Sequence, residues 1–238
     1  MIVFCREPIA GQTKTRLIAR LGAANAAELA GAFILDALAK CRALAPSRIV
    51  IAGSTPGGVL NSRYFRRVAR RFSAQLIDQG VGSLGVRMAR ALEPYRAGGA
   101  VLFGTDTPAL PPELLRRSIT LLRHAPVVIA PSLDGGYYLI GVRGRMPDVF
   151  RSIAWGSSKV MDETIARLRR KRIRYALGPA WYDVDRWSDL ELLVAHLQWM
   201  RGRKGSESRR GGAQSPSSLS CPATARVLQR LGLLRVGR

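Results

Sequence analysis

The sequence predicts an α/β protein, a three-layer α/β/α sandwich on a mostly parallel sheet. Three observations carry this. Short runs rich in Val, Ile and Leu alternate with longer stretches of helical period, the order of a sheet whose strands are joined by crossover helices. Several of those runs are apolar at nearly every position, as strands covered on both faces are. The chain has 238 residues and is 47% hydrophobic, enough for one large domain with a real core.

Strands are expected at residues 2–5, 48–52, 74–77, 100–103, 127–130, 137–142 and 173–177. Between them lie amphipathic stretches. The clearest is AANAAELAGAFILDALAKCRAL, apolar at three- and four-residue intervals. ELLRRSITLLR and KVMDETIARLRRK follow the same logic. The pair of runs around LDGGYY is expected to add antiparallel strands. After Met200 the texture changes to Gly, Ser and Arg without apolar period. Residues 1–200 are therefore read as the domain and 201–238 as a basic, disordered tail. Within that tail, TARVLQRLGLL has the pattern of a short helix, either docked on the domain or a plain extension.

Composition excludes several classes. The net charge is +22, from 38 basic and 16 acidic residues. Nine basic residues and one acidic residue lie beyond position 200, and the rest of the excess is scattered as arginine-rich helix faces such as RYFRRVARR. No nucleic-acid-binding motif accompanies them, so nucleic acid is not the expected main partner. No apolar run approaches the roughly 20 residues that span a bilayer. The start, MIVFCREP, lacks the pattern of a secretory signal, and the expected location is cytoplasmic. Cys5, Cys41 and Cys221 are far apart, without zinc spacing or a disulfide framework. The only histidines, His124 and His196, sit in helical patterns, which argues against a histidine metal site or a Ser-His-Asp triad.

Four polar clusters fall at the carboxyl ends of expected strands, where open α/β sheets gather ligands. REPIAGQTKTRL follows the first. Gly11 lets backbone N–H groups approach a ligand, Lys14 and Arg16 add cations, and a helix starting near Thr15 adds a positive terminus. This pattern reads as an anion site, most simply for a diphosphate, or as a loop of solvated basic residues. It is not a Walker A loop, because Gly11 precedes Lys14 by only three positions. In GTDTPALPPELL, Asp106 follows a buried strand and lies too early to cap the helix that starts near Pro111 or Pro112. An oxygen ligand for Mg²⁺ or Mn²⁺ fits it better, with an Asx-turn as the alternative. In SLDGGYYLIG, Gly135 and Gly136 either make a hairpin turn or bare the backbone to a sugar or acceptor, with Asp134 aimed at its hydroxyls. In WYDVDRWSDLELL, Asp183 and Asp185 alternate and share one face of an extended segment. Either could supply a second metal carboxylate, the other being a turn residue. Ser188 with Glu191 reads as a capping box for the following helix.

FCREPIAGQTKTRL, QGVGSLGVRM, GTDTPALP, LDGGYYLIG, IAWGSSKVMDET and DVDRWSDL occur in that order. Together they resemble the DUF2064 family of glycosyltransferase-A-like transferases, some of them called arsenosugar-biosynthesis glycosyltransferases or radical-SAM/selenodomain-associated transferases. More distantly they are similar to molybdenum-cofactor and phospholactate guanylyltransferases. The resemblance runs from Met1 to about Leu193 and implies a nucleotide-diphospho-sugar transferase fold. It places Arg6, Gly11, Lys14 and Arg16 in a nucleotide and phosphate loop, and Gln79 and Gly82 near base and ribose. It makes Asp106 and Asp185 metal carboxylates, and Asp134, Gly135 and Gly136 the sugar or acceptor wall. The chain departs from the family where acidic residues are usual, near Ser83 and Val86. It also has WGSS for Trp-Ser-Thr-Pro, and Arg186-Trp187 for Thr-Pro.

The implied activity is Mg²⁺- or Mn²⁺-dependent glycosyl transfer from a nucleotide sugar to a small-molecule acceptor. Asp106 and Lys14 would stabilise the leaving diphosphate, and Asp134 would act as base. Nucleotidyl transfer from a nucleoside triphosphate, releasing pyrophosphate, is the alternative. A non-catalytic nucleotide-binding module is the third reading. An open strand edge would also suit a homodimer.

Overall fold

The computed structural model describes residues 1–145, 149–207 and 220–235. Seven strands form one sheet: β1 (Ile2–Arg6), β2 (Val50–Ser54), β3 (Gln75–Asp78), β4 (Ala100–Phe103), β5 (Val127–Pro131), β6 (Tyr137–Val142) and β7 (Tyr175–Leu177). Their order is β3-β2-β1-β4-β6-β5-β7. All run parallel except β6, which is antiparallel to β4 and β5. The exception has a simple cause. A parallel return needs a crossover of about a dozen residues, and the link from Pro131 to Tyr137 is far shorter. The expected three-layer α/β architecture is thus the observed one.

The described residues include eight α-helices: α1 (Ile18–Leu21), α2 (Ala23–Ala43), α3 (Arg63–Phe72), α4 (Leu84–Leu92), α5 (Pro112–Leu121), α6 (Val160–Arg170), α7 (Trp187–Glu207) and α8 (Pro222–Arg230). Successive strand residues point to opposite faces, and this alternation divides the core. Val3, Cys5, Ile51 and Val128 pack with Ile34 and Leu38 of α2, Phe65 of α3 and Leu115 of α5. Ile2, Val50, Ala52 and Ile129 face the other way, against Met88 and Leu92 of α4 and Leu168 of α6. On α3 the residues between the buried ones are arginines, so that run is a solvated face on an amphipathic helix.

Helix α2 is buried on two sides. Its outward residues Leu29 and Phe33 join a third cluster with Leu190 and Leu193 of α7 and Ala225 and Leu228 of α8. Here the structure differs from the composition-based boundary at residue 200. Helix α7 continues to Glu207, and the last helix is docked. Of the expected tail, residues 208–219 and 236–238 lie outside the described residues. The docking is specific. Buried Asp36 on α2 accepts N–H bonds from Ala223 (2.9 Å) and Thr224 (2.8 Å) and the Thr224 hydroxyl (2.6 Å). A carboxylate from another element thereby satisfies the first turn of α8, where no local side chain does. Ser220 Oγ donates to Ala109 O at 2.9 Å, and buried Lys40 Nζ donates to Pro108 O at 2.6 Å. The C-terminal helix and α2 thus grip the stretch that follows β4. No helix among the described residues is long and apolar enough to cross a membrane.

Asp36→Ala removes three hydrogen bonds at the start of α8 and leaves the N–H groups of half-buried Ala223 and buried Thr224 unpaired. Its expected cost is about 1–3 kcal/mol. Hydrogen exchange over residues 222–231 is expected to accelerate more than exchange in the central strands.

Candidate active site

The parallel strands bring their carboxyl ends to one edge of the sheet, and there the loops after β1, β4 and β5 meet the segment before α7. The loop after β1 is short and tightly turned, with Gln12 N–H and Thr13 Oγ1 both donating to Ile9 O. It ends at Lys14, whose backbone is left-handed (φ 48°), a conformation that a residue with a Cβ rarely adopts. From there the side chain turns inward and is only 7% exposed. Its ammonium lies 2.6 Å from Asp106 Oδ1, 2.7 Å from Asp185 Oδ1 and 2.8 Å from Val184 O, above the Phe33 ring at 5.3 Å. An ammonium has three donors, and all three are used.

The backbone fixes this arrangement. Val184 N–H donates to Asp106 O at 2.8 Å, tying the end of β4 to the segment before α7. That segment also runs beside the β5–β6 turn: Trp181 N–H bonds Pro131 O and Leu133 N–H bonds Trp181 O. Asp183 and Asp185 thus reach the same edge with different partners. Asp185 meets Lys14, and Asp183 accepts the Ser132 hydroxyl. The structure starts α7 one residue before Ser188. Asp189, the third residue of the helix, reaches back to Arg186 N–H (2.7 Å) and Asp185 N–H (3.0 Å), so Asp189 replaces Ser188 and Glu191 as the cap. Glu191 instead accepts from Trp187 Nε1.

The electrostatics follow the placement. Burial pulls the Lys14 ammonium down, but Asp106 and Asp185 outweigh it and the net shift is upward. Burial pushes Asp185 up, and Lys14 overrides it to hold that carboxyl below its usual range. Asp183 has no cation of its own. Burial first, then the charges of Asp134, Asp185 and Asp106, raise it to about 7.

Residues 35–157 match the family described as "Uncharacterized protein conserved in bacteria (DUF2064)". A solved structure of a candidate nucleotide-diphospho-sugar transferase from Desulfovibrio desulfuricans G20 is 30% identical, with a TM-score of 0.73 and 96% of each chain covered. The chain belongs to the DUF2064 family. Two further structures share the fold at low identity. The inositol-1-phosphate CTP transferase of T. maritima has a TM-score of 0.52 at 14% identity, over 90% of this chain and 98% of that one. A nucleotidyl transferase from Methanothermobacter has 0.51 at 13%, over 83% and 97%. No curated protein matches the sequence.

In this DUF2064 chain, Lys14, Asp106 and Asp185 form one cluster, with Asp134 close enough to act on Asp183. The other expected site residues are more dispersed. Arg16 is 61% exposed and stands 3.8 Å from Asp185 Oδ2. Thr15 begins a 3₁₀ turn of three residues, followed by the four-residue α1, so the helix expected to start near Thr15 takes the form of these short turns. Gly11 (φ 83°) has open space where a Cβ would stand, which suits close approach to the loop. Arg6 is exposed at the end of β1. Gly82 (φ 116°) lies on an exposed turn before α4.

Gln79 departs from its expected role. Its buried amide donates to Cys5 O and Ala52 O, both at 2.9 Å, and accepts from Arg87 Nη1 at 2.8 Å. It clamps β1 to β2 instead of presenting its side chain to a base. Gly135 departs too. A Cβ on it would fall 2.1 Å from Ser158 O, so its bare face is filled by this chain's own backbone and does not line an open wall. Asp134 Oδ1 accepts Gly136 N–H at 2.8 Å in an Asx-turn, and its residue is exposed beside the cluster.

Arg87 is the residue that motif reading passed over. Its guanidinium stacks at 5.9 Å from the Phe4 ring, and burial together with the charge of Arg6 depresses its pKa. Two guanidiniums near each other at the end of β1 make a second cationic point. The available signal was position: Arg87 falls one helical turn after the Ser83 cap of α4.

The carboxylates suit a divalent ion. All donors are oxygens, and a cation already sits between Asp106 and Asp185 in the form of the Lys14 ammonium. Among the described residues there is no cluster of three or more His, Cys, Asp or Glu side chains arranged for a metal. Two carboxylates completed by substrate phosphate and water is the usual way Mg²⁺ is held.

The Asp183 shift has a measurable consequence in metal-free protein. Its folded value lies above the unfolded one, so its contribution is fully present below about pH 4 and is lost as pH rises. In EDTA, wild-type stability is expected to fall as the pH passes from about 4 through 7, and Asp183→Asn to flatten that slope. Denaturant midpoints across that range check it.

Proposed function

We propose that this chain is a metal-dependent glycosyltransferase that uses a nucleotide-diphosphate sugar as donor. The observation that carries this reading is the Asp106–Lys14–Asp185 cluster at the carboxyl edge of a parallel sheet, beside a glycine-bearing loop. The 30% identical Desulfovibrio relative, covered over 96% of its length, carries the description of a nucleotide-diphospho-sugar transferase and supports it.

Asp106 and Asp185 would hold Mg²⁺ or Mn²⁺, which when bound supplies positive charge for the leaving diphosphate. Gly11 gives the loop after β1 its close approach, and Arg16 and Arg6 add charge at the rim. Asp134, exposed on the β5–β6 turn, would accept a proton from an acceptor hydroxyl. Gln79 contributes by fixing Arg87 and the ends of β1 and β2.

One observation favours a second reading. The Arg6–Arg87 pair offers cationic charge beyond Lys14, as a longer polyphosphate chain would use. On that reading the reaction is nucleotidyl transfer, and pyrophosphate, not a nucleoside diphosphate, is released. A binding role for the basic tail is not cleanly separable by truncation, because deleting 201–238 also removes α8 and bares Leu29 and Phe33. Loss of function on that deletion would therefore report folding as much as binding.

Thermal stability with Mn²⁺ across nucleoside triphosphates and nucleotide sugars tests the proposal. A ligand at 100 times its Kd adds about 2.7 kcal/mol. Stabilisation by one nucleotide sugar, lost in Asp106→Ala, is the expected result, with release of nucleoside diphosphate on turnover. Preference for a triphosphate with pyrophosphate release selects the second reading. Stabilisation undiminished in Asp106→Ala removes Asp106 from the metal site.

A further inference from the structure

On one side the sheet ends at β3, which pairs with β2 alone. Strands β2 and β1 stand between it and β4. In a parallel pair, alternate residues turn their N–H and C=O to the same neighbour. Gln75 N–H donates to Ile49 O and Gln79 N–H to Gly53 O, both at 2.9 Å. The main chain of Leu76 and Asp78 therefore faces outward, where no strand of the described residues lies. Such an edge is a template for another strand.

A groove of about 650 Å³ runs between β3, α3 and the 3₁₀ turn Val59–Asn61. Its floor is apolar. Leu76, whose side chain turns toward α3, lines it with Ala69 and with Leu60, which is 64% exposed. Its rim is cationic, made by exposed Arg63, Arg66, Arg67 and Arg70. No carboxylate of the described residues forms an ion pair with any of them. Arg71 differs, because its guanidinium lies over the Phe72 ring at 5.5 Å. The rim arginines stand three and four positions apart on one helix, so they repel one another, and negative charge brought among them relieves that repulsion.

We propose that this groove is a docking site for an acidic segment of a partner protein, bound in extended form as an added strand on β3. Charge selects the occupant. The chain carries 38 basic and 16 acidic residues, and Arg169, Arg170, Arg172 and Arg174 lie just ahead of β7, the other edge of the sheet. A second copy would thus set positive charge against positive charge. Nucleic acid would answer the charge too, but no aromatic side chain lines the groove for a base to stack on, and the outward main chain of β3 matches a peptide. Alternate residues of an extended peptide share a face. The fitting pattern is therefore acid-x-apolar-x-acid, with the apolar side chain on the floor and the acids at the rim. The groove shares no residue with the Lys14–Asp106–Asp185 cluster, so the proposal does not depend on the transferase reading.

Titration calorimetry of the full chain with the end-blocked peptide Thr-Glu-Thr-Leu-Thr-Glu-Thr tests it. Saturable binding that weakens as salt is raised is expected. Arg66→Ala with Arg70→Ala is expected to weaken it about tenfold. Arg170→Ala with Arg174→Ala removes the same charge from the far edge and is expected to leave it nearly unchanged. All four side chains are exposed, so both variants keep the core intact. Gln in place of both Glu residues of the peptide is expected to abolish binding. N-methylation at the peptide's Leu or at the Thr after it is expected to weaken binding in only one of the two cases, because alternate N–H groups point to β3. Absence of binding overturns the proposal and leaves the arginines as a solvated face. Equal losses in the two double variants overturn it as well, since they report general charge attraction. Equal effects of the two methylations remove the added strand. An oligothymidine that binds more tightly than the peptide, and through Arg66 and Arg70, overturns it in favour of nucleic acid.

Discussion

A single buried ammonium organises the functional end of this molecule. Lys14 joins the loop after β1 to the end of β4 and to the segment before α7, three parts of the chain that share no strand pairing at that point. Burial works against its charge, and only the two carboxylates together reverse the balance. Each member therefore depends on the others. Without the lysine, Asp106 and Asp185 repel. Without the carboxylates, a charged group would be stranded above the Phe33 ring. The backbone bond from Val184 to Asp106 keeps the partners at hydrogen-bond range, and the pinned lysine in turn explains why a residue with a Cβ is held in a left-handed conformation.

The layers beneath follow from ordinary packing. Alternation along each strand sends one set of side chains to α2, α3 and α5 and the other to α4 and α6. The sheet then needs no special device to aim its loops, because parallel strands deliver their carboxyl ends to one edge. Buried Gln79 stiffens that edge by cross-linking two neighbouring strands through their carbonyls. The result is a rigid rim on which a few charges are mounted.

The frame was legible in the sequence because its signals are local. All seven strands fall where apolar runs end in Gly, Pro or charged residues, and the short LDGGYY link gives the direction of β6. Asp106 was legible for the same reason, as an acid at a strand end too early for a helix cap. What was not legible depends on distance along the chain. Lys14 lies 171 residues from Asp185, and nothing in the KTR triplet says that its ammonium faces carboxylates and not phosphate. Gln79 misleads because its partners are backbone carbonyls, which carry no sequence signal. The cap of α7 was misplaced by two residues because Asp189 and Glu191 are both acids able to reach back to the start of the helix. The docked α8 was obscured by the Gly, Ser and Arg composition around it.

The capping of α8 by Asp36 also bears on how the chain is made. The two partners are 187 residues apart, so α2 leaves the ribosome long before the helix that covers it. At the usual 5–20 residues per second that interval is roughly 10 to 40 s. During it the part of α2 that α8 covers lacks that partner, and Asp36 and Lys40 put charge among its alanines and leucines. The grip on Ala109, and with it the support behind Asp106, is completed only after residues 220–230 emerge. A nascent chain can thus complete its sheet before α8 finishes the ligand edge.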